Sequence, residues 1–290
     1  AASPATLTPK ILSASAYQQL INCPYQFFAA RCLKLAPPDI VKEALEKSDY
    51  GERVHKCLEA FHGEVPELPG PFTDKITSQN RQQAIELLNQ IAQQVFSRDI
   101  EDNFMHRGWL KRWQAIIPLY IDWQMEQQNI RIPQATEINI SNAKLGHELN
   151  IRGRIDRIDE NQEQLSVIDY KTGFIPPLEE VMSGEAIQIP FYLMLLMAQT
   201  EHKLATTMTE KNLACNAQYV DVGSATKVSS KVELSDDELR PLMTHNQQRL
   251  IEIMHQIHKG ESLPAWGDTK TCEYCPMDGL CRKQTWAFEQ

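Results

Sequence analysis

Hydrophobic residues recur at helical spacing through the first 125 residues of the chain. In the second such segment Tyr50, Val54 and Leu58 fall four positions apart and share one face of a helix. The run Ala36-Pro37-Pro38 ends the first segment, because proline lacks a backbone donor and clashes with the preceding turn. The pattern predicts four helices, near residues 15–35, 50–61, 84–95 and 109–123.

Beyond residue 140 the pattern changes from helical spacing to alternation. Leu145, Leu149 and Ile151 alternate with polar neighbours, as on a half-buried strand. Ser235 and Glu238 form a capping box that opens a long helix. The order of elements predicts an α/β fold in which helices flank a small central mixed sheet. The remaining predicted elements are strands at 153–159, 164–170 and 215–222, a polar turn at 160–163, and helices at 179–200 and 235–258.

Composition narrows the class of protein. Of the 290 residues, 42% are hydrophobic and 23% are charged, which is ordinary for a globular protein. The net charge of −9 argues against a dedicated nucleic-acid coat but allows a local basic track. No run of apolar residues is long enough for a membrane span, and the N-terminal residues lack the pattern of a secretory signal. The odd number of cysteines, seven, favours a reducing cytoplasm and a cysteine-ligated metal over a disulfide framework.

The two strands around the polar turn carry the densest chemistry. With the turn centred near 161–162, Arg154 opposes Asp169. Asp156 then lies diagonally across from Asp169, on the face that Lys171 shares. Paired carboxylates can hold Mg²⁺ or Mn²⁺, and a lysine beside them can orient an attacking water or stabilise a phosphate. The hairpin therefore indicates phosphodiester hydrolysis, with an exposed hairpin held by ordinary ion pairs as the alternative.

Two motifs elsewhere fit the same chemistry. His55 stands in the motif Gly51-x-x-x-His55-x-x-Leu58-Glu59 on the second predicted helix. Neutral imidazole is a common metal ligand, although a lone helical histidine is more often simply packed. Gln188 and Tyr192 lie four residues apart and share a helix face, for which ordinary packing is the alternative.

Taken in chain order, these motifs resemble the RecB-like exonuclease domains of the PD-(D/E)XK nuclease superfamily, from about residue 13 to the C-terminus. The resemblance implies a restriction-endonuclease-like core and Mg²⁺- or Mn²⁺-dependent hydrolysis of DNA. It further implies an exonuclease that acts on single-stranded ends in recombination and repair. The roles it implies are metal binding by His55, Asp156 and Asp169, catalysis by the two aspartates and Lys171, and substrate binding by Gln188 and Tyr192.

Three cysteines form a cluster near the C-terminus, Cys272-x-x-Cys275-x5-Cys281. Thiolates at this spacing suit zinc or an iron–sulfur cluster about equally. A closed site needs a fourth ligand, for which Cys23 is the best candidate. The layout resembles the 4Fe-4S site of AddB-type nucleases, which implies one such cluster joining the two ends of the chain. Structural zinc at the same four cysteines is the alternative.

Basic residues supply candidate substrate contacts. Arg152, Arg154 and Arg157 flank the acidic hairpin and are predicted to contact substrate phosphates. Upstream, basic and aromatic residues interleave in a way that could grip a single strand, but tryptophans at helical spacing are more typical of a core. This second set is Arg107, Trp109, Lys111, Arg112 and Trp113.

The whole pattern predicts one nuclease domain at 13–290 after a flexible lead-in at 1–12. Its expected parts are a helical region at 13–135 with Cys23 and His55, a catalytic sheet and helix at 136–222, and a C-terminal helix with a cysteine-rich tail at 223–290. DNA is the expected partner, together with a helicase either fused upstream or separate, and no membrane. The alternative function is a nuclease-like module that binds DNA ends or a helicase with little hydrolysis, although the intact motifs favour the enzyme.

Overall fold

A six-stranded sheet organises the chain in the computed structural model, which describes residues 5–36, 47–100, 104–146, 149–198, 213–273 and 275–283. The strands are β1 (Ile11–Ser13), β2 (Ile132–Lys144), β3 (Asn150–Glu160), β4 (Gln164–Lys171), β5 (Ala214–Asp221) and β6 (Ser229–Leu234). They lie in the order β1-β3-β4-β5-β6, with β2 also paired to β3. β1 and β3 run parallel, as do β4 and β5, and the other pairs are antiparallel. The predicted mixed sheet is confirmed.

Helices pack against this sheet. The capping box of Ser235 and Glu238 at the start of the last long helix is confirmed. Among the described helices, none combines the length and the apolar character needed to cross a membrane. The helices are α1 (Ala14–Asn22), α2 (Pro24–Phe27), α3 (Lys47–His62), α4 (Arg81–Ile100), α5 (Phe104–Gln127), α6 (Leu178–Met182), α7 (Gln188–Met197), α8 (Asp236–His258), α9 (Thr269–Glu273) and α10 (Asp278–Cys281), with a π-helical turn at Phe28–Cys32.

The alternation of side chains along β4 divides the interior into two cores. Leu165 and Val167 belong to a core built with α1, α7 and α8. Ile168 and Tyr170 belong to a second core built with α3, α4 and α5. Trp113 lies in the second core with no exposed surface, in line with the helical spacing of the tryptophans. The sheet is therefore covered by helices on both faces.

Some strands lie where the hydrophobic pattern did not predict them. β1 begins at Ile11, inside the expected lead-in, and β2 begins at Ile132, inside the expected helical region. The pairing of β2 with β3 contains two irregularities, which break the alternation that would have revealed the strand. The strand expected at 145–151 falls between β2 and β3, and residues 147 and 148 lie outside the described residues.

The hairpin of β3 and β4 has a different register from the predicted one. Arg157 pairs with Ile168, so one step farther along this antiparallel register Asp156 lies opposite Asp169. The prediction had placed Arg154 there. The difference amounts to two residues, so Asp156 and Asp169 still share one face, because the period of a strand is two. Ile155 does not follow this alternation, since it packs in the core of Leu165 and Val167 and not in that of Ile168 and Tyr170.

The turn of the hairpin explains this difference. The side-chain oxygen of Asn161 accepts the backbone N–H groups of Glu163 at 2.9 Å and Gln164 at 2.8 Å. An asparagine that bonds the backbone ahead of it closes a turn locally. The connection between the strands is therefore centred one residue later than the sequence suggested.

Arg157 is buried between the sheet and the helices α3 and α5. The sequence predicts instead that it contacts substrate phosphates. Its side chain has no exposed surface, and its guanidinium donates to the carboxylate of Asp159 at 2.5 and 2.8 Å. Nη1 also donates to Tyr120, Gln124 and Tyr170. A buried guanidinium needs such neutralisation and hydrogen bonding to be tolerated. Arg157 is thus a structural residue, and its predicted role as a phosphate contact is wrong.

We expect Arg157→Ala to lower the free energy of unfolding by about 3–5 kcal/mol, because the buried carboxylate of Asp159 would lose both hydrogen bonds from Arg157 and keep Arg131, whose Nε lies 3.8 Å away. Denaturant unfolding measures this change. Arg152→Ala is the control, since Arg152 lies on the same strand with an exposed side chain and its loss should cost less than about 0.5 kcal/mol. Equally small losses in both variants would contradict the structural role of Arg157.

Candidate active site

The predicted catalytic residues converge at the C-terminal end of β4. Asp169 is 1% exposed, and Lys171 is the last residue of that strand. Asp156 on β3 is 6% exposed and accepts the backbone N–H of Tyr170 at 2.9 Å. The antiparallel pairing of the two strands therefore brings both carboxylates and the ammonium to one end of the sheet.

Asp169 is held by side chains from β4 and α7. Lys171 Nζ lies 2.7 Å from Oδ2 of Asp169. Gln188 Nε2 donates to Oδ1 at 2.6 Å, and the hydroxyl of Tyr192 donates to the same oxygen at 3.0 Å. Gln188 also accepts from Lys171 Nζ at 2.7 Å. Gln188 and Tyr192 thus orient the acid and the ammonium, rather than serving helix packing alone.

His55 approaches Asp156 from α3. Its Nε2 lies 3.0 Å from the carbonyl oxygen of Tyr170. Because a carbonyl can only accept, Nε2 carries a proton, and Nδ1 faces the acids. Nδ1 lies 3.4 Å from Asp156 Oδ2 and 3.9 Å from Glu137 Oε1. Metal-ligating histidines commonly donate their second ring N–H to a carbonyl in this way, so Nδ1 is placed as a ligand atom.

Glu137 on β2 is an acidic residue that the sequence did not single out. One ligand atom from each of Glu137, His55 and Asp156 lies within 4.8 Å of the others. In the β2–β3 register Glu137 falls across from Asp156, and its φ of 49° lies in the left-handed region. Nothing in the local sequence distinguishes this glutamate, since its position follows from a pairing between distant strands.

Burial and like charges shift two pKa values at the site. Burial and the charge of Asp156 raise the pKa of Asp169 to about 6, against the opposing effects of Lys171 and His55. Burial alone would lower the pKa of His55, but Asp156 and Glu137 outweigh it and raise that pKa to about 10. The charge of Asp156 contributes to both shifts, and negative charge concentrated between α3 and the two strands favours a cation there.

Two of the three predicted phosphate contacts lie where a substrate can reach them. Arg152 and Arg154 are both exposed. Arg154 Nε lies 2.6 Å from Glu137 Oε2, although 59% of the arginine side chain is accessible. A cleft beside His55 is lined by Arg154 and Glu137, together with Arg53 and Lys56. The cleft thus places basic groups next to the acidic centre, while Arg157 is fully buried.

The basic and aromatic set on α5 divides between surface and core. Arg107 and Lys111 are exposed, whereas Trp113 is fully buried and cannot stack on a base. The guanidinium of Arg112 lies 5.1 Å from the ring centroid of Tyr50 and donates to the carbonyl of Gly223 at 2.9 Å. The geometry leaves this segment with basic side chains at the surface, while Trp113 serves packing.

The four predicted cluster cysteines line one small cavity. Cys23 lies between α1 and α2 and is buried, Cys272 belongs to α9, and Cys281 ends α10. Burial raises the pKa of the Cys275 thiol, and the charges of the other three thiols raise it further. The cavity therefore joins cysteines from the two ends of the chain.

Backbone contacts hold these two ends together. The N–H of Tyr25 donates to the carbonyl of Pro264 at 3.1 Å. Gly267 lies next to two of these cysteines, so that a Cβ at this position would be only 3.3 Å from both Cys23 Cβ and Cys272 Sγ. A side chain at this position would push the two cysteines apart. The other three cysteines, Cys32, Cys57 and Cys215, are buried thiols as predicted.

Comparisons with known proteins agree with this geometry. The chain resembles an uncharacterized protein of Rickettsia bellii, with 30% identity over 193 residues that cover 65% of this chain and 22% of the relative. It also resembles proteins named as subunits of an ATP-dependent helicase/deoxyribonuclease. The Lactococcus lactis protein of that name is 23% identical over 323 residues, covering 93% of this chain and 28% of the relative. The Oceanobacillus iheyensis protein is 27% identical over 220 residues, covering 67% and 18%.

The chain thus spans between 18% and 28% of the length of these three relatives. A family model described as the PD-(D/E)XK nuclease superfamily matches residues 11–282, which include every residue of the acidic centre and all four cysteines of the cavity. The mixed sheet between helical layers agrees with that match. The chain belongs to the PD-(D/E)XK nuclease superfamily.

Proposed function

We propose that the chain hydrolyses phosphodiester bonds in DNA and depends on Mg²⁺ or Mn²⁺ for this activity. The observation that carries the proposal is the meeting of Asp156, Asp169 and Lys171 at the end of β4, with Lys171 2.7 Å from Asp169. Two carboxylates beside an ammonium suit the attack of water on a phosphate. Membership of a nuclease superfamily supports the same reaction.

The donor set fits a small divalent cation. His55, Asp156 and Asp169 are the proposed ligands, and Glu137 is a further carboxylate within reach. These oxygen and imidazole ligands suit Mg²⁺ or Mn²⁺. Such a cation would lower the pKa of a bound water and neutralise charge on the phosphate.

The surrounding residues of the chain have separate proposed tasks. Lys171 orients the attacking water or stabilises charge on the phosphate, and its hydrogen bond to Gln188 holds the ammonium in place. Tyr192 and Gln188 fix the carboxylate of Asp169 by direct hydrogen bonds. Arg152 and Arg154 are proposed to bind phosphates that flank the cleaved bond, because both are exposed and Arg154 lines the cleft beside His55.

DNA ends are the proposed substrate, and a helicase is the proposed partner. Both follow from the names of the Lactococcus lactis and Oceanobacillus iheyensis relatives, which describe helicase/deoxyribonuclease subunits. We infer an exonuclease that acts on single-stranded ends in recombination or repair. The helicase is either part of the same polypeptide or a separate subunit.

A module that binds DNA ends with little hydrolysis is the second candidate function. Binding would use the same exposed arginines but would gain nothing from a lysine fixed between Asp169 and Gln188, so the geometry favours hydrolysis. Degradation of end-labelled single-stranded DNA, with Mn²⁺ and with a chelator, decides between the two. Binding without degradation at any metal concentration would favour the module.

We propose that Cys23, Cys272, Cys275 and Cys281 hold a 4Fe-4S cluster. All four cysteines line one cavity, and one of them precedes the motifs of the acidic centre while three follow them. Soft thiolates suit an iron–sulfur cluster, and structural zinc at the same four cysteines is the alternative.

Removing either charge beside Asp156 should abolish hydrolysis. Asp169→Asn and Lys171→Ala are each expected to lower the cleavage rate by about a hundredfold or more, because each removes a charge that acts in the transition state. Lys231→Ala is the control, since Lys231 is exposed on β6. Circular dichroism should show that all three variants are folded. Cleavage at the wild-type rate by either active-site variant would refute the catalytic assignment.

Removing either side chain next to Asp156 should raise the requirement for metal. His55→Ala and Glu137→Gln are each expected to increase the Mn²⁺ concentration for half-maximal cleavage by at least about tenfold. DNA binding by His55→Ala in a chelator should be unchanged. Glu86→Gln is the control, because Glu86 is exposed on α4 and hydrogen-bonds within that helix, to Gln82. An unchanged Mn²⁺ requirement in His55→Ala would leave that histidine a packing role only.

Loss of one cysteine should release the C-terminal tail. Cys23→Ser is expected to lose iron and brown colour in protein purified without oxygen, and limited proteolysis should then cut after about Leu263. Cys57→Ser is the control, because Cys57 lies in the core of α3, α4 and α5. Stoichiometric zinc in the wild-type protein, or iron retained by Cys23→Ser, would refute the iron–sulfur assignment. Oxidation must be excluded first, since it can strip a cluster.

A further inference from the structure

Phe174 lies on the loop that leaves the proposed active site. It follows Lys171 by three residues, which span at most about 11 Å of chain. Its side chain is 68% exposed, the largest exposed fraction among the large hydrophobic residues in the described part of the chain. Single exposed hydrophobic residues are common, so exposure alone assigns no role to Phe174. A role can be inferred only from the residues around the ring.

The backbone on both sides of Phe174 is anchored. On the preceding side, the carbonyl of Lys171 accepts the N–H of Val222 at 2.9 Å, and the carbonyl of Thr172 packs so closely on Gly223 that it leaves no room for a Cβ there. On the following side, Ile175 packs against the core of α1, α7 and α8. The fixed path of the loop therefore directs the ring of Phe174 outward at the edge of the site.

A cation accompanies the ring. Lys270 Nζ lies 5.1 Å from the ring centroid of Phe174. The same ammonium lies 3.5 Å from Oε1 of Glu180 on α6, which helps to fix its position. Lys270 belongs to α9, two residues before the proposed cluster ligand Cys272. An aromatic face next to a positive charge is the combination with which proteins hold single-stranded nucleic acids, by stacking on bases and pairing with phosphates.

We propose that Phe174 stacks on an unpaired base next to the bond to be cleaved, and that Lys270 pairs with a phosphate of the same strand. The inference rests on the proposed function, because it takes DNA as the substrate, and it adds the residues that select a single-stranded end. Inside a duplex each base is paired and stacked on both neighbours, so a base that can rotate onto the ring belongs to an unpaired strand. Phe174 is thus a specificity-determining residue.

Binding of a fluorescent oligothymidylate in the presence of chelator tests the inference without any need for hydrolysis. Phe174→Ala is expected to raise the Kd roughly tenfold, in keeping with the loss of one stacked base. Phe174→Trp should retain the wild-type Kd, because a larger aromatic face also stacks. Ile130→Ala is the matched control, because Ile130 is 58% exposed. It lies between α5 and β2, where its carbonyl accepts from Asn161 in the β3–β4 turn, at the end of β4 opposite to Lys171.

An oligonucleotide whose terminal nucleotides lack bases, made separately for each end, separates stacking from a structural effect. Wild-type protein should bind one of these two strands roughly tenfold more weakly than the intact strand, and Phe174→Ala should add no further loss on it.

Lys270→Gln should reduce the slope of log K against log salt by about 0.7, as expected for one phosphate on a single strand, and should keep its iron.

Three results would overturn the inference. They are a wild-type Kd for Phe174→Ala, equal losses for Phe174→Ala on strands with and without terminal bases, and no binding of the oligothymidylate by the wild-type protein. Failure of the wild-type protein to cleave DNA that it binds would instead overturn only the proposed hydrolysis. The contact between Phe174 and a base would then still be decided by the binding measurements.

Discussion

Tyr170 joins the buried interior to the acidic centre, and the positions of the surrounding residues depend on it. Its hydroxyl lies 2.9 Å from both Arg157 Nη1 and the hydroxyl of Tyr120. Its backbone N–H donates to Asp156, and its carbonyl accepts from His55. The guanidinium of Arg157, buried between the sheet and the helices α3 and α5, thus holds the strand whose backbone orients two proposed metal ligands. A change at Arg157 should therefore be felt at the acidic centre.

Two buried acids, Asp159 on β3 and Asp169 on β4, are neutralised to different extents. Asp159 receives two hydrogen bonds from Arg157, so its charge is matched inside the core. Asp169 also has a basic partner, Lys171, but it shares its space with Asp156, and its pKa is raised to about 6. The first pair stabilises the fold. The second arrangement leaves an excess of negative charge, which favours the proposed cation at some cost in stability.

The cysteine cavity and the active-site edge are connected through the C-terminal segment. α9 carries Cys272 and also Lys270, whose ammonium lies over Phe174 and near Glu180. The same segment is tied to the N-terminal region where Tyr25 donates to Pro264. Few apolar side chains of this tail are buried, Leu263 and Met277 being two that are. Ligation by the four cysteines would therefore fix the tail, and with it the cation beside the proposed substrate contact.

The sequence by itself determined the α/β class and the motifs of the site, because helical and strand periods are local properties and His55, Asp156, Asp169 and Lys171 stand in short, recognisable contexts. Arg154 and Arg157 belong to the same short motif, and nothing in that motif shows that Arg157 is buried against α3 and α5, which lie far away in the chain. The position of Glu137 beside His55 required the register of β2, whose irregular pairing hides its period. Only the tertiary structure decided these points, since burial and register arise from contacts between distant segments.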